Sequence, residues 1–361
     1  MMSTDHPVAF GSTPFSGRVA VTERGVPHPV HEFQANHTHV HSLSQLVSPG
    51  IFQDTLLPSF ALHSGLAVLA YATGRATDRL EAKDWLWPLG PVINAWWSSV
   101  GRRVAAGGVT LPAALEALSR PERLLLAGVT LWGGRLFYRL ASRSARRDSD
   151  EPRYEAAKKS EGAQSLWNKA FFTTYLPEAA FQTIISLPFS ATFRHQGPVL
   201  QGASSALQSV AIGLFGTGLA LEVLADWQLE KFRQAGSEDK ICREGVWSIV
   251  RHPNYLGDII VHFSFPILLY ASDLLTPVAL FGPIANYLFL RYIGGDKENE
   301  QSQLQRYSEK YPAKKADFDD YRSKENSVWP RLDQVTNPWL WAVAGAGVAT
   351  VLIEGLSQQW L

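Results

Sequence analysis

Residues 199–221 read VLQGASSALQSVAIGLFGTGLAL, a run without a single charged side chain. A helix of this length matches the roughly 20 residues needed to cross the hydrocarbon of a bilayer. A helix buried in a soluble protein keeps a polar stripe toward water, and this run has none. It therefore sets the fold class: an all-α, polytopic membrane helix bundle.

Working outward, comparable runs recur. Residues 55–74 carry only His63 as an exception, and 85–101 have Trp85, Trp87, Trp96 and Trp97 near the ends, like an aromatic belt. Residues 120–138 hold Arg123 and Arg135, whose side chains would have to snorkel. Residues 170–193 contain Pro177, Glu178 and Pro188, and 259–293 form two apolar halves around Asp273 and Pro277, a tight helical hairpin. Residues 338–353 are short and rich in Gly and Ala. The expectation is about seven to eight spans.

The charges lie between these runs, so a mean hydropathy of -0.07 conceals them. Segments 139–169, 226–253 and 294–335 are rich in Lys and Arg and are separated by even numbers of spans. Parity puts them on one side, and the positive-inside rule makes that side cytoplasmic.

Only 18% of the 361 residues are charged, below the roughly 25% of soluble chains. The 33 basic and 33 acidic side chains cancel, so there is no basic field for nucleic acid. Cys242 is the only cysteine, which excludes an intrachain disulfide, and it reads as incidental. The first 48 residues are rich in His, Pro, Ser and Thr and lack the apolar core of a cleaved signal peptide. They read as a disordered tail, with His31 to His41 solvated and no metal site completed. The expected organisation is a tail over 1–48, N-terminal transmembrane helices over 49–193, a cofactor-binding region over 194–335 and a last helix over 336–361.

Chemistry concentrates in GVWSIVRHPNYLGD, residues 245–258. Proline suits the first position of a helix, so a helix beginning near Pro253 presents free N–H groups beside Arg251, an anion site. Arg251, Tyr255 and Asp258 are spaced to share one helical face, and Gly257 permits close approach of another helix. Asp296, Glu300, Gln303 and Tyr307 form a second stripe at helical spacing. There the plainer reading of a solvated face competes, and it suits Lys310, Lys314 and Lys315 best. Glu178 beside Pro177 is an intramembrane carboxylate, a functional position by default, and Tyr175 lies one turn before it. The competing reading is a carboxylate near the interface with local partners. Glu222 reads as interfacial.

These motifs carry a resemblance. GVWSIVRHPNYLGD, preceded by DWQLEKF at 226–232, resembles the steroid 5-alpha-reductase-type membrane protein family, in its large, poorly characterised branch. LWGGRLFYRLASR at 131–143, EPRYE at 151–155 and FFTTYLPEAAFQTIISLPF at 171–189 fit the same branch. More distant relatives are the sterol C14 and C7 reductases and the isoprenylcysteine carboxyl methyltransferases. The resemblance covers roughly residues 50–335. It implies an enzyme of the endoplasmic-reticulum membrane that holds NADPH between its last spans and a cytoplasmic C-terminal segment.

Carried over by motif position, Arg251, Asn254, Tyr255, Asp258, Asp296 and Glu300 would contact the cofactor. Tyr307 and Tyr321 would close the site, and Asp226 and Lys231 match the helix before the motif. Asp258 departs from the branch, where glutamate is more common. The implied reaction is reduction of an activated C=C bond in a sterol or other lipid-like substrate, the nicotinamide supplying the chemistry. A polarising donor in a dry site suits tyrosine or a carboxylic acid held neutral, hence Glu178 and Tyr175. The motif core is shared with methyltransferases, so a lipid or prenyl-thiol methyltransferase using S-adenosylmethionine stays open, as does a non-enzymatic scaffold retaining the fold. The smaller methyltransferases do not match the N-terminal spans, which favours the reductase. Substrate and oligomeric state are not legible.

Overall fold

The computed structural model describes residues 50–194, 198–236 and 240–358; the tail expected over 1–48 lies outside them. Among the described residues the regular structure is helical and no strand forms; the nearest approach to one is a single bridge between Leu200 and Leu275. The helices are α1 (Leu57–Thr77), α2 (Leu86–Trp96), α3 (Arg102–Gly107), α4 (Leu111–Glu116), α5 (Arg120–Ala145), α6 (Pro152–Glu161), α7 (Ala163–Ala170), α8 (Leu176–Ile185), α9 (Leu187–Arg194), α10 (Ser205–Gln234), α11 (Pro253–Tyr270), α12 (Phe281–Leu288), α13 (Asp296–Lys310), α14 (Pro312–Lys324) and α15 (Pro338–Ser357).

Among the described residues, three helical stretches are long and apolar enough to cross a membrane: Phe52–Thr77, Ser205–Gln234 and Pro338–Ser357. The other expected spans are interrupted or charged. The helix of 85–101 passes through a π turn at Trp97–Gly101, and 170–193 breaks at Ser186 between α8 and α9. The span read from 199–221 is shifted: α10 begins at Ser205, where the Ser204 hydroxyl caps the Leu207 amide, and runs to Gln234. The uncharged residues before it are not helical, and Leu200 donates its amide to the Leu275 carbonyl at 2.8 Å. Hydropathy marks which residues avoid water but not where a serine cap starts the helix.

The most extensive helix pairings are those of α10 with α11 and with α15. Gly218 and Gly257 let α10 and α11 touch backbone to backbone: a Cβ on either would lie 2.6 Å from the other's carbonyl oxygen. Around this crossing Trp132, Phe189, Val261, Phe265 and Leu269 form a closed apolar core. Arg135 does not snorkel. It pairs with Glu222 and with Asp226, the latter at 2.5 Å, while Arg139 pairs with Asp226 as well. Glu222 is accordingly buried within the protein.

The bundle has two distinct ends. At one, Asp150 accepts the amides of Leu80 and Glu81 at 2.6 and 3.1 Å, Arg146 approaches Glu230 at 3.9 Å, and Arg243 pairs with Asp320 at 2.9 Å. These contacts join the three Lys/Arg-rich segments. At the other end, Asp273 accepts the amides of Gly202 and Ala203 at 2.8 and 3.1 Å, and Arg120 donates to Glu354 at 3.1 Å.

The backbone contact between α10 and α11 yields a test. Gly257→Ala forces its methyl into the Gly218 carbonyl and should destabilise the protein by about 1–3 kcal/mol, seen as a lower thermal midpoint in detergent. Gly345→Ala, whose Cβ meets open space, should leave the midpoint unchanged. Equal midpoints for the two variants would refute the crossing.

Candidate functional site

The segment before α11 is fixed on every side. Gly245 takes φ +67°, and a Cβ there would strike the Gln228 amide, which accepts from the Val246 N–H at 2.9 Å. The Trp247 indole donates to the Ala225 carbonyl at 3.0 Å. The Tyr321 hydroxyl donates to the carbonyls of Trp247 and Val250, the second at 3.2 Å. The amides of Arg251 and His252 then donate to the carbonyls of Asn326 and Ser327 at 3.0 and 2.9 Å. Pro253 opens α11, as its missing N–H favours.

Arg251 therefore stands two residues before the helix rather than on the face of Tyr255 and Asp258. Its guanidinium turns to α13, where Nε and Nη2 donate to Glu300 Oε1 at 2.9 and 2.8 Å. Arg251 also donates to the Glu325 carbonyl. His252 Nε2 lies 3.0 Å from the same oxygen, and Arg322 Nε donates to Glu300 Oε2 at 2.9 Å. Glu300 is thus bracketed from α14 and from the loop before α11. Burial pushes its carboxyl up, but the His252 hydrogen bond and the Arg251 charge outweigh that and bring it down to about 2. The His252 ring stacks on Tyr255 with centroids 5.1 Å apart, and the Tyr255 hydroxyl accepts from Asn299 at 3.3 Å.

Beside this knot lies a pocket of about 460 Å³, within the range of small-molecule sites. Arg251, Arg291, Lys297 and Arg322 face it together with Asp296 and Glu300. Arg291 pairs with Asp296 at 2.6 Å. Lys297 forms no ion pair among the described residues, so the pocket holds more cationic than anionic groups. Asp296 is buried, accepts the Ser327 hydroxyl on Oδ2, and leaves Oδ1 without a partner. Cations with fork geometry suit a phosphate, and the orphaned Oδ1 suits a ribose hydroxyl or a base amino group. The residues present fit a nucleotide.

Of the residues singled out from the sequence, Arg251, Asp296 and Glu300 meet at this pocket, with Tyr255 on the adjoining helix turn. Asn254 keeps a buried, unpartnered Oδ1. Asp258 points into the bundle, accepting the Trp132 indole and the Asn286 amide, each at 2.9 Å. Tyr307 packs edge-on against Phe318, centroids 5.7 Å apart, in the core of the α13–α14 hairpin. Tyr321 braces the loop described above. Asp226 joins α10 to α5, and Lys231 is exposed on α10. Glu178 and Tyr175 lie elsewhere, between α1, α8 and the turn at Leu80–Trp85. Glu178 bridges to Lys83 at 3.3 Å, while Tyr175 is fully buried with an unpartnered hydroxyl.

Sequence reasoning missed His252, Arg291, Lys297 and Arg322 as members of the site. Lys297 and Arg322 stand in a charge-rich stretch, and their one signal is adjacency to Asp296 and Tyr321. Arg291 ends an apolar run, where a cation reads as an interfacial anchor.

The depressed Glu300 carboxyl gives a pH test. A carboxyl whose folded pKa lies below its unfolded value stabilises the fold above the unfolded pKa and loses that contribution on acidification. Glu300 should therefore contribute fully above its ordinary 4.5 and progressively less down to about 2. The thermal midpoint of Glu300→Gln should lie below wild type near neutrality and converge with it in that window. A constant gap through the window would contradict the assignment.

Residues 70–324 match the model of a protein family described as Protein of unknown function (DUF1295). No curated protein and no solved structure matches the chain. The matched stretch runs from α1 through α14 and includes all the side chains of the pocket. The chain belongs to the DUF1295 family, within the steroid 5-alpha-reductase-like superfamily.

Proposed function

We propose that the protein is a membrane-embedded, NADPH-dependent reductase of an activated C=C bond in a sterol or other lipid-like substrate. The observation that carries this reading is the pocket at the head of α11, where Arg251, Asp296 and Glu300 of the recognised motifs meet beside an excess of cations. In the same reading helices α2, α5, α8–α9, α11 and α12 complete seven to eight spans in the endoplasmic-reticulum membrane. The Lys/Arg-rich end faces the cytoplasm.

When bound, the nicotinamide supplies hydride. Lys297, Arg291 and Arg322 neutralise phosphate, and Asp296 Oδ1 accepts a hydroxyl or amino proton. Glu300 holds Arg251 and Arg322 in place, so the cationic wall exists before the nucleotide arrives. Tyr255 sits where α11 leaves the pocket for the bundle. The polarising donor falls to Glu178 or Tyr175. Tyr175 offers a buried hydroxyl without a hydrogen-bond partner among the described residues, whereas the Glu178 carboxylate is engaged by Lys83.

Purified protein in detergent should bind NADPH. Lys297 is exposed, so Lys297→Ala should keep the wild-type melting temperature. A lost charge-assisted contact to phosphate costs about 1.5–3 kcal/mol, hence roughly ten- to a hundredfold in affinity. Tight binding of S-adenosylmethionine with none of NADPH would overturn the reductase in favour of a methyltransferase.

Untargeted lipid profiling tests the reaction. Cells lacking the protein should accumulate a lipid two hydrogens poorer than one that disappears. Tyr175→Phe, purified, should still fold and bind NADPH yet fail to restore the profile. Full restoration by Tyr175→Phe would remove Tyr175 from the chemistry, and an unchanged profile in the deletion would refute the activity.

A further inference from the structure

Away from the nucleotide pocket, three helical segments carry polar residues at four-residue intervals that turn toward one another. On α1 these are Ser59 and His63, with Thr55 one turn earlier; on α2 and its π turn, Asn94 and Ser98; on α8 and α9, Gln182, Ser186, Ser190 and Arg194. Four-residue spacing keeps side chains on one helix face, and all of these residues are buried.

They are joined in sequence. The Ser186 hydroxyl lies 3.1 Å from His63 Nε2, and Asn94 Nδ2 lies 3.4 Å from the same nitrogen. Asn94 Nδ2 also donates to Ser59 at 2.6 Å, the Ser98 hydroxyl donates to Asn94 Oδ1 at 3.2 Å, and Arg194 Nε donates to Ser98 at 2.7 Å. The seam begins at Arg194, at the end of the bundle opposite the pocket. It stops at Gln182, whose amide lies against Gly90: a Cβ there would come within 2.4 Å of Oε1. Beyond Gln182 the rings of Trp87, Phe181 and Phe289 pack with centroids 4.9 to 6.2 Å apart. They part the seam from the π turn that carries Arg291.

A serine bonded to its own helix, as Ser190 is to the Ser186 carbonyl, needs no further partner. Other atoms of the seam do. Thr55 Oγ1, Gln182 Oε1 and Nε2, and Arg194 Nη2 are buried without a hydrogen-bond partner among the described residues. Arg194 forms no ion pair among the described residues, whereas Arg135, Arg251 and Arg322 each face a carboxylate. Polar groups within a membrane bundle are rare and face the interior or a water-filled space. Buried water characteristically satisfies such orphaned donors and acceptors. A ligand with an apolar body would leave the hydroxyl, amide and imidazole lining unsatisfied.

We propose that this seam is a built site for a file of water molecules, entered from the Arg194 end and running to His63 and Gln182. It brings solvent to the one imidazole in the seam, from the face opposite the nucleotide pocket. The site is independent of the nucleotide reading, and loss of NADPH binding would leave it untouched.

The probe is water itself. A millisecond X-ray pulse converts bound water to hydroxyl radical in place, and mass spectrometry locates the oxidised side chains. In the unmodified protein His63 should be oxidised, while the buried ring of Phe189, which packs on Phe265 with centroids 5.0 Å apart, should not. Ser98→Cys and Ser190→Cys should be oxidised several-fold faster than Ala95→Cys and Ala191→Cys, equally buried positions off the seam. Oxidation of His63 no greater than that of Phe189 would overturn the proposal. So would equal rates for the seam and off-seam cysteines in variants that melt like wild type. The His63 readout needs no substitution, so a cysteine variant that fails to fold leaves the proposal open to refutation.

Discussion

Glu300 is the point on which the pocket end of the molecule turns. One carboxylate receives Arg251 and His252 from the loop before α11, and Arg322 from α14. A buried carboxylate is tolerable only when paired and hydrogen-bonded, so these segments are bound to one geometry. Removing Glu300 would leave two guanidinium groups facing each other across the loop. Its partners Arg251 and Arg322 line the pocket, where Lys297 forms no ion pair among the described residues.

Beneath that knot, close helix contact joins α10 to its neighbours beside the apolar core of Trp132, Phe189 and Phe265. Gly218 and Gly257 bring α10 and α11 together, and Gly347 packs against Gly213 and Thr217 to seat α15 on the other side of α10. In lipid, apolar side chains gain little by leaving their surroundings, so association relies on such close contacts and on interior polar groups. Both occur here. The pairing of Arg135 with Glu222 and Asp226 and the bonding of Asp258 to Trp132 and Asn286 lie inside the bundle. They tie α5 to α10, and α11 to α5 and α12.

Much of this was legible in the sequence, for identifiable reasons. Helix start at Pro253 and the role of Gly257 follow from local chemistry. The boundary of α10 was not legible, because Ser204, not hydropathy, sets it. Spacing along one helix also says nothing about which helices meet. The Arg251–Glu300 contact joins residues far apart in sequence, and Arg322 was indistinguishable from its solvated neighbours until α14 folded back. The seam was overlooked because serine, threonine and asparagine barely move a hydropathy average. Its four-residue periodicity was nevertheless present in Gln182, Ser186, Ser190 and Arg194.

The central claim is that the pocket beside Glu300 is a nucleotide site. An electron cryo-microscopy structure of the protein in a lipid nanodisc with saturating NADPH tests it most directly. The account predicts density for the phosphates among Arg291, Lys297 and Arg322, with the chain of Glu300 contacts intact. An empty pocket under saturation, or nucleotide density elsewhere on the protein, would contradict it.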